Sequence, residues 1–323
     1  MLRFSVRECL GKTAALFLAT SMFAPLLAHA ETYPDKPIRI ISIHPTGIAT
    51  DLLARAIAPR LGELLGQSVV VENRPGANGI IATGVVAKSP PDGYTALITS
   101  GSHIANSELK KDLPFDPIKD FAPIINLGVS SGLTLASNQP VSSVAELLKM
   151  GAQRPLSYAV NGPGNTTHTS ALMLEAASKV KMSMVSYTTN AFINDVMSKN
   201  VDMTFVGTNV VEPLVSAGQL KALATTGTAR SKLLPNVPTL LELGYPIDVT
   251  GYFGLLFPAG TPDDRVKKVN EAAAEALKSP AVKSFMDNSD LTPKGGSPAE
   301  FKADLEADRV IQSKLMKDLG LAP

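Results

Sequence analysis

Apolar residues along this chain recur with two alternating periods. Short apolar runs at 38–43 (Ile38, Ile40, Ile41, Ile43), 68–71, 94–98, 156–160, 182–187, 201–206 and 220–225 carry the signature of strands buried on both faces. Between them, apolar residues fall at helical spacing, most plainly at Leu52, Leu53, Ile57, Leu61 and Leu64, and further helices are predicted over 80–88, 142–150, 167–177, 190–199 and 210–217. Repeated strand–helix units of this kind predict an α/β fold with parallel-dominated sheets, right-handed crossovers and helices on both faces.

Two apolar runs, 121–129 and 251–257, read as strands that cross from one sheet to another. After the second, three helical segments are predicted, roughly 262–278, 280–287 and 298–319. Thr261-Pro262 and Ser297-Pro298 each put a cap residue before a proline at the first helical position. A chain that crosses twice predicts one domain built from both ends, residues 31–126 and 252–323, with a second domain, 127–251, inserted between them. A small ligand is expected in the cleft between two such domains, facing the helix N-termini.

Residues 1–30 follow neither period. Arg3, Arg7 and Lys12 lead into a mostly apolar run from Thr13 to Leu27, closed by Ala28-His29-Ala30. This reads as a secretory signal peptide cut after Ala30, and its apolar run is shorter than the about 20 residues of a membrane span. Removing Arg3, Arg7, Lys12 and Glu8 from totals of 30 basic and 29 acidic residues leaves 27 and 28, a net charge of −1. That near-neutrality gives no footprint for nucleic acid or an anionic membrane. The single cysteine, Cys9, leaves with the signal, and the three remaining histidines, His44, His103 and His168, are too scattered for a helical zinc site. No metal and no cofactor are expected.

Candidate chemistry therefore lies in the loops after the strands. In the first, Pro45, Thr46 and Gly47 stop a strand, and Thr50 or Asp51 is placed to cap the helix that follows. A strand feeding a helix N-terminus presents unpaired N–H groups and partial positive charge, which suits a carboxylate. Four more loops share this position: one with Ser100, Ser102 and His103; one running from Asn161 through Gly164, Asn165 and Thr166 to His168; one with Tyr187, Thr188 and Thr189; and one opening at Val206. An ordinary polar turn accounts for each alone. Jointly, five loops rich in hydroxyls, amides and glycines and poor in charge favour a binding cleft of neutral donors, with no catalytic residue. An exported hydrolase is the competing class, but there is no G-x-S-x-G elbow, Walker P-loop, H-E-x-x-H helix or C-x-x-C pair.

Seven motifs in order give the chain a family likeness: Tyr33-Pro34-x-Lys36-Pro37-Ile38, Val71-Glu72-Asn73-Arg74-Pro75-Gly76-Ala77, Ala87-Lys88-x-x-Pro91-Asp92-Gly93-Tyr94, Leu113-Pro114-Phe115-Asp116-Pro117, Asp120-Phe121-Ala122-Pro123-Ile124, Leu233-Leu234-Pro235-Asn236-Val237-Pro238-Thr239 and Phe257-Pro258-Ala259-Gly260-Thr261-Pro262. On these the mature chain resembles the Bug-type periplasmic solute receptors of tripartite tricarboxylate transporters. The resemblance implies a two-domain Venus-flytrap fold in the periplasm, a monomer that captures a small organic carboxylate and presents it to membrane transporter subunits. It also implies that the ligand carboxylate sits against the loop Pro45–Asp51 and is held by loops of both domains. A receptor feeding a signalling partner is the alternative within the same class.

The chain departs from the family pattern where a ligand is read. Pro45-Thr46-Gly47-Ile48-Ala49 stands where a Pro-Pro-Gly-Gly-type turn is usual, Thr188-Thr189 where a basic residue and glycine often follow Tyr187, and Val206 where an aspartate often stands. These changes imply a less charged, more apolar pocket, better suited to an aromatic or aliphatic carboxylate than to an amino acid.

Overall fold

The computed structural model describes residues 32–160, 162, 164–187 and 191–321. The predicted signal peptide lies outside them, and the fold set out below is that of the unit from Lys36 onward. In chain order the elements are β1 (Ile38–Ser42), α1 (Ala49–Leu65), β2 (Val69–Asn73), α2 (Ile80–Ala87), β3 (Thr95–Ser100), α3 (Ser102–Leu109), β4 (Phe121–Ser130), β5 (Leu133–Ser137), α4 (Val144–Gly151), β6 (Leu156–Val160) and α5 (Thr166–Ser178). There follow β7 (Met182–Ser186), α6 (Phe192–Met197), β8 (Met203–Gly207), α7 (Thr208–Ser216), β9 (Lys221–Thr225), β10 (Tyr252–Pro258), α8 (Asp263–Leu277), α9 (Pro280–Asn288), β11 (Leu291–Gly295) and α10 (Pro298–Asp318).

The strands form two sheets, one ordered β11-β4-β10-β3-β1-β2 and the other β7-β6-β8-β5-β9. Each is mixed. In the first, β1 runs parallel to β2 and β3, while β10 is antiparallel to both β3 and β4. In the second, β6 is parallel to β7 and β8, while β5 is antiparallel to β8 and β9. Antiparallel pairing enters where the chain passes between sheets, because a strand arriving without a crossover helix runs against its neighbours. The first passage is only Ser131-Gly132, and the return runs through 226–251. The two runs read as crossing strands thus belong to the first sheet, as β4 and β10, with the crossings made just beyond them.

Two strands were not foreseen, β5 and β11. β11, Leu-Thr-Pro-Lys-Gly, has no β-branched run and contains Pro293, yet it pairs antiparallel with β4 from Leu291 opposite Ser130 to Gly295 opposite Asn126. It is an edge strand, where a missing N–H can be tolerated.

Helix α1 buries Leu53, Ala54, Ile57, Ala58, Leu61 and Leu65, whereas Leu52 and Leu64 face outward at 36% and 37% exposure. The inner stripe is therefore rotated from the predicted one, with Leu53, Ile57, Leu61 and Leu65 along its centre and Ala54 and Ala58 beside them. The helix ends on Gly66 in the left-handed region (φ +71°), with its N–H on the Glu63 and Gly62 carbonyls. Across the first sheet, α10 lies so close that a Cβ on Gly254 would meet Phe301 Cζ at 2.1 Å, and Phe301 and Leu305 join Ile41, Ile43, Leu97 and Leu256 in one core. The second sheet carries a core on each face, one around Leu135, Tyr158 and Phe205 and one around Ala159, Phe192 and Val206. A sheet covered on both sides leaves its strand ends, and the loops there, as the place for chemistry.

Candidate functional site

The loop after β1 is built by a buried carboxylate. Asp51, fully buried in the first turn of α1, accepts from the Gly47 backbone N–H at 2.9 Å, from Arg55 Nε at 2.9 Å and from Asn73 Nδ2 at 2.9 Å. Asn73 also donates to the His44 carbonyl at 3.0 Å and accepts from Arg55 Nη2 at 3.0 Å and Thr46 Oγ1 at 3.3 Å. The end of β2 therefore ties the whole loop together. Thr50 is equally buried, with Oγ1 3.0 Å from His44 Nδ1 and 3.2 Å from Ser42 Oγ.

This corrects the capping expectation. The N-cap of α1 is Ile48, with no side-chain cap, and Thr50 and Asp51 lie inside the helix with their polar atoms bound elsewhere. The cause is register: Asp51 sits three residues past the cap, where its carboxylate reaches back over the turn to Gly47 rather than forward. The first N–H groups of α1 are left without a side-chain partner, next to Pro45 and Thr46, which are exposed.

Helix starts at other strand ends repeat this. α3, opening at Gly101, and α7, opening at Gly207, have no side-chain cap either. By contrast α4, α9 and α10 are capped by Ser143, Ser279 and Ser297, the last in a full capping box with Glu300. α5 is capped by Asn165, whose Oδ1 accepts from the His168 N–H at 3.0 Å, and Thr166 begins the helix.

The loop ahead of α5 packs against the end of α3. Gly164, ahead of α5 in the second sheet's half, lies against Leu109 of α3 in the first, so closely that a Cβ there would stand 2.1 Å from Leu109 Cδ1. Gly164 is also left-handed (φ +81°), so only glycine fits without displacement.

The remaining candidates fall in different surroundings. Ser100 Oγ and Ser102 Oγ are 3.4 Å apart at the end of β3. His103 is turned away from the loops into the core: its ring stacks near Phe115, meets Phe121 edge-on at 5.0 Å, and its Nε2 lies 2.7 Å from the Pro117 carbonyl. Tyr187 donates to Asp195 Oδ2 at 2.6 Å. Val206 is 9% exposed in the core beneath α6 and α7. Asn161, Thr188 and Thr189 lie outside the described residues.

The imidazoles are neutral near pH 7. Burial pushes His44 down to about 4, and His103 down to about 4 against the opposing pull of the Pro117 carbonyl and Asp116. Burial also lowers His168. Tyr187 is pushed up to about 12, first by burial and then by the Asp195 carboxylate. What the loops present is a set of neutral donors, with the buried acid at their base already matched by Arg55. Among the described residues no cluster of three His, Cys, Asp or Glu side chains forms a metal site. Two surface cavities, of about 880 and 920 Å³, lie away from these loops, one between α1 and the outer edge of β2 and the other beside α10.

Reasoning from sequence did not find His44, Asn73 or Leu109. Asn73 lay in a quoted motif, but its bonds to residues 22 and 29 positions earlier have no local signal. The amide pair Asn78 and Asn106, bonded Nδ2 to Oδ1 at 3.0 Å, joins the next loop to α3 in the same unsignalled way.

A family model described as "Tripartite tricarboxylate transporter family receptor" matches residues 53–321. The chain is 33% identical over 314 residues to a Cupriavidus necator protein named "UPF0065 protein in gbd 5'region", covering 96% of this chain and 94% of that one. Among solved structures it is similar to Rhodopseudomonas palustris Rpa4515 with adipate, at TM-score 0.83 and 33% identity, covering 90% and 99% of the two chains. It is likewise similar to the periplasmic binding protein BugD, at TM-score 0.83 and 28% identity over the same shares.

Proposed function

The chain belongs to the tripartite tricarboxylate transporter receptor family, and from that premise we propose that it captures a small organic carboxylate between the loops of its two sheets and hands it to membrane transporter subunits. Family membership makes it a solute-binding receptor rather than an enzyme.

The observation that carries the reading is the meeting of Gly164 with Leu109, which brings the loop ahead of α5 beside α3. At strand ends of the two sheets, α1, α3 and α7 begin without side-chain caps, so their first N–H groups remain available to an anion. A carboxylate bound there would be held by backbone donors and helix dipoles instead of by a lysine or arginine. Adipate in the Rhodopseudomonas palustris relative is consistent with a small carboxylate as ligand.

The same reading takes residues 1–30 as an export signal and the receptor as working in the periplasm as a monomer. No described helix is long and apolar enough to cross a membrane. The division into 31–126 with 252–323 and an inserted 127–251 belongs to the same proposal.

A melting-shift screen of the mature protein against a panel of mono- and dicarboxylates, followed by calorimetry on the hits, tests it. At least one carboxylate should raise the midpoint by several degrees and bind at one site. A panel that leaves the midpoint unmoved, with no heat of binding, rejects it.

A further inference from the structure

We propose that His168, held as the neutral Nε2–H tautomer, is a hydrogen-bond donor to the ligand from the second sheet, and that it selects a ligand end bearing acceptor oxygens over one bearing an ammonium group. The proposal rests on the cleft reading above.

The tautomer follows from one bond. The backbone N–H of Gly164 donates to His168 Nδ1 at 2.9 Å. An amide N–H can only donate, so Nδ1 holds a lone pair and the ring proton sits on Nε2. His168 is 5% exposed as a residue, and its ring stacks on Tyr158 with centroids 6.1 Å apart and planes 18° from parallel, which fixes its orientation. Protonating Nδ1 would set two donors against each other in a buried place. Burial already disfavours the imidazolium.

Nε2 is in the opposite position. It has no partner among the described residues, and it is not one of the polar atoms sealed from solvent. A ring with one nitrogen spent on its own loop and the other left open is a preset donor.

The first sheet shows what this replaces. Asp51 and His168 are each three residues past a helix N-cap, and each accepts at 2.9 Å from a left-handed glycine four residues earlier, Gly47 at φ +85° and Gly164 at φ +81°. The Asp51 oxygens are filled by Gly47, Arg55 and Asn73, so that group offers nothing further. Histidine keeps the same bond to the glycine and adds a second edge, and that edge is a donor. An incoming carboxylate or carbonyl satisfies it. An ammonium group has only donors to offer and leaves it unmatched, which disfavours the complex.

Two variants separate the loop bond from the donor. In His168→Asn the side-chain oxygen can still accept from Gly164, but nothing reaches the Nε2 position. In His168→Gln an N–H reaches that position, but the acceptor for Gly164 is lost. Long-range 1H–15N spectra of the ligand-free mature protein labelled at histidine should show His168 Nδ1 unprotonated and Nε2 protonated from pH 6 to 8. An Nδ1–H tautomer, or titration near pH 6.5, overturns the proposal.

Calorimetry then uses adipate and 6-aminohexanoate, or, if adipate does not bind, the tightest carboxylate of the panel and its ω-amino analogue. Wild type and His168→Gln should favour the carboxylate end by about tenfold or more, and His168→Asn should bind it about tenfold more weakly, roughly the loss of one good hydrogen bond to a charged group. If His168→Asn binds like wild type, or wild type does not discriminate, His168 is no ligand donor while the cleft reading stands. If no carboxylate binds wild type, the cleft reading fails and takes this proposal with it.

Discussion

The backbone N–H of Gly47 donates to Asp51 Oδ2 at 2.9 Å, and that bond decides what the loop after β1 can offer a ligand. The amide at the tip of the turn is already spent. An arriving carboxylate would be left with the N–H groups that open α1, which have no side-chain cap. In the proposed site the acid at position 51 would shape the loop from beneath, its oxygens already bonded to Gly47, Arg55 and Asn73.

Replacing Asp51 with Ala should be costly. It removes three bonds at once and leaves Gly47, Arg55 and Asn73 to find other partners. Losing one side of a buried pair typically costs about 3–5 kcal/mol; with Arg55 half-exposed, about 2–3 kcal/mol is expected. Urea unfolding measures it, and a change below about 0.5 kcal/mol would show the loop is held some other way.

Gly47 and Gly164 should respond differently to substitution. A Cβ at Gly47 meets nothing within 4 Å, so the expected cost of Gly47→Val to stability is mainly that of the left-handed backbone, about 1–2 kcal/mol, while the side chain adds bulk at the proposed ligand site. Binding should weaken by about a few kcal/mol, as for two lost charge-assisted hydrogen bonds, with a smaller fall in stability. Wild-type affinity by calorimetry would count against the site.

At Gly164 the obstacle is Leu109 itself. Gly164→Ala should hold the two sets of loops apart and weaken ligand binding, and adding Leu109→Ala should recover part of the loss. A double variant no better than the single one would mean that backbone strain at φ +81°, and not the contact, is responsible.

Asp308 predicts a pH effect on stability. Burial pushes its carboxyl up to about 6, against a hydrogen bond from Gln312, and Oδ2 has no partner among the described residues. A folded-state value above the unfolded one of about 3.9 means stability that is fully present below pH 4 and lost as pH rises through 6. Asp308→Asn should therefore stabilise the protein by about 1–3 kcal/mol at pH 7.5 and by much less at pH 4. Equal effects at both pH values would assign the change to packing.

Ligand should also compact the molecule. The two sheets are joined by Ser131-Gly132 and by 226–251, which allows closure about the crossings. Small-angle scattering should give a smaller radius of gyration at saturating ligand. An unchanged radius would indicate a cleft already closed.

The sequence by itself determined the elements whose signals are local. The isoleucine run of β1, the helical spacing of α1 and the Ser297-Pro298 start of α10 were all legible, because period and capping depend on residues a few positions apart. The ordered motifs likewise pointed to the receptor family. Only the tertiary structure decided which neighbours lie across the chain. It paired the unpromising β11 with β4, rotated the buried stripe of α1, and turned His103 onto Phe121 and the Pro117 carbonyl. It also joined Asn73 to Asp51 and set Gly164 against Leu109. A polar side chain in a strand-end loop can bind a ligand, its own loop or the core. That choice depends on partners tens of residues away, brought within 3 Å by packing that no local pattern encodes.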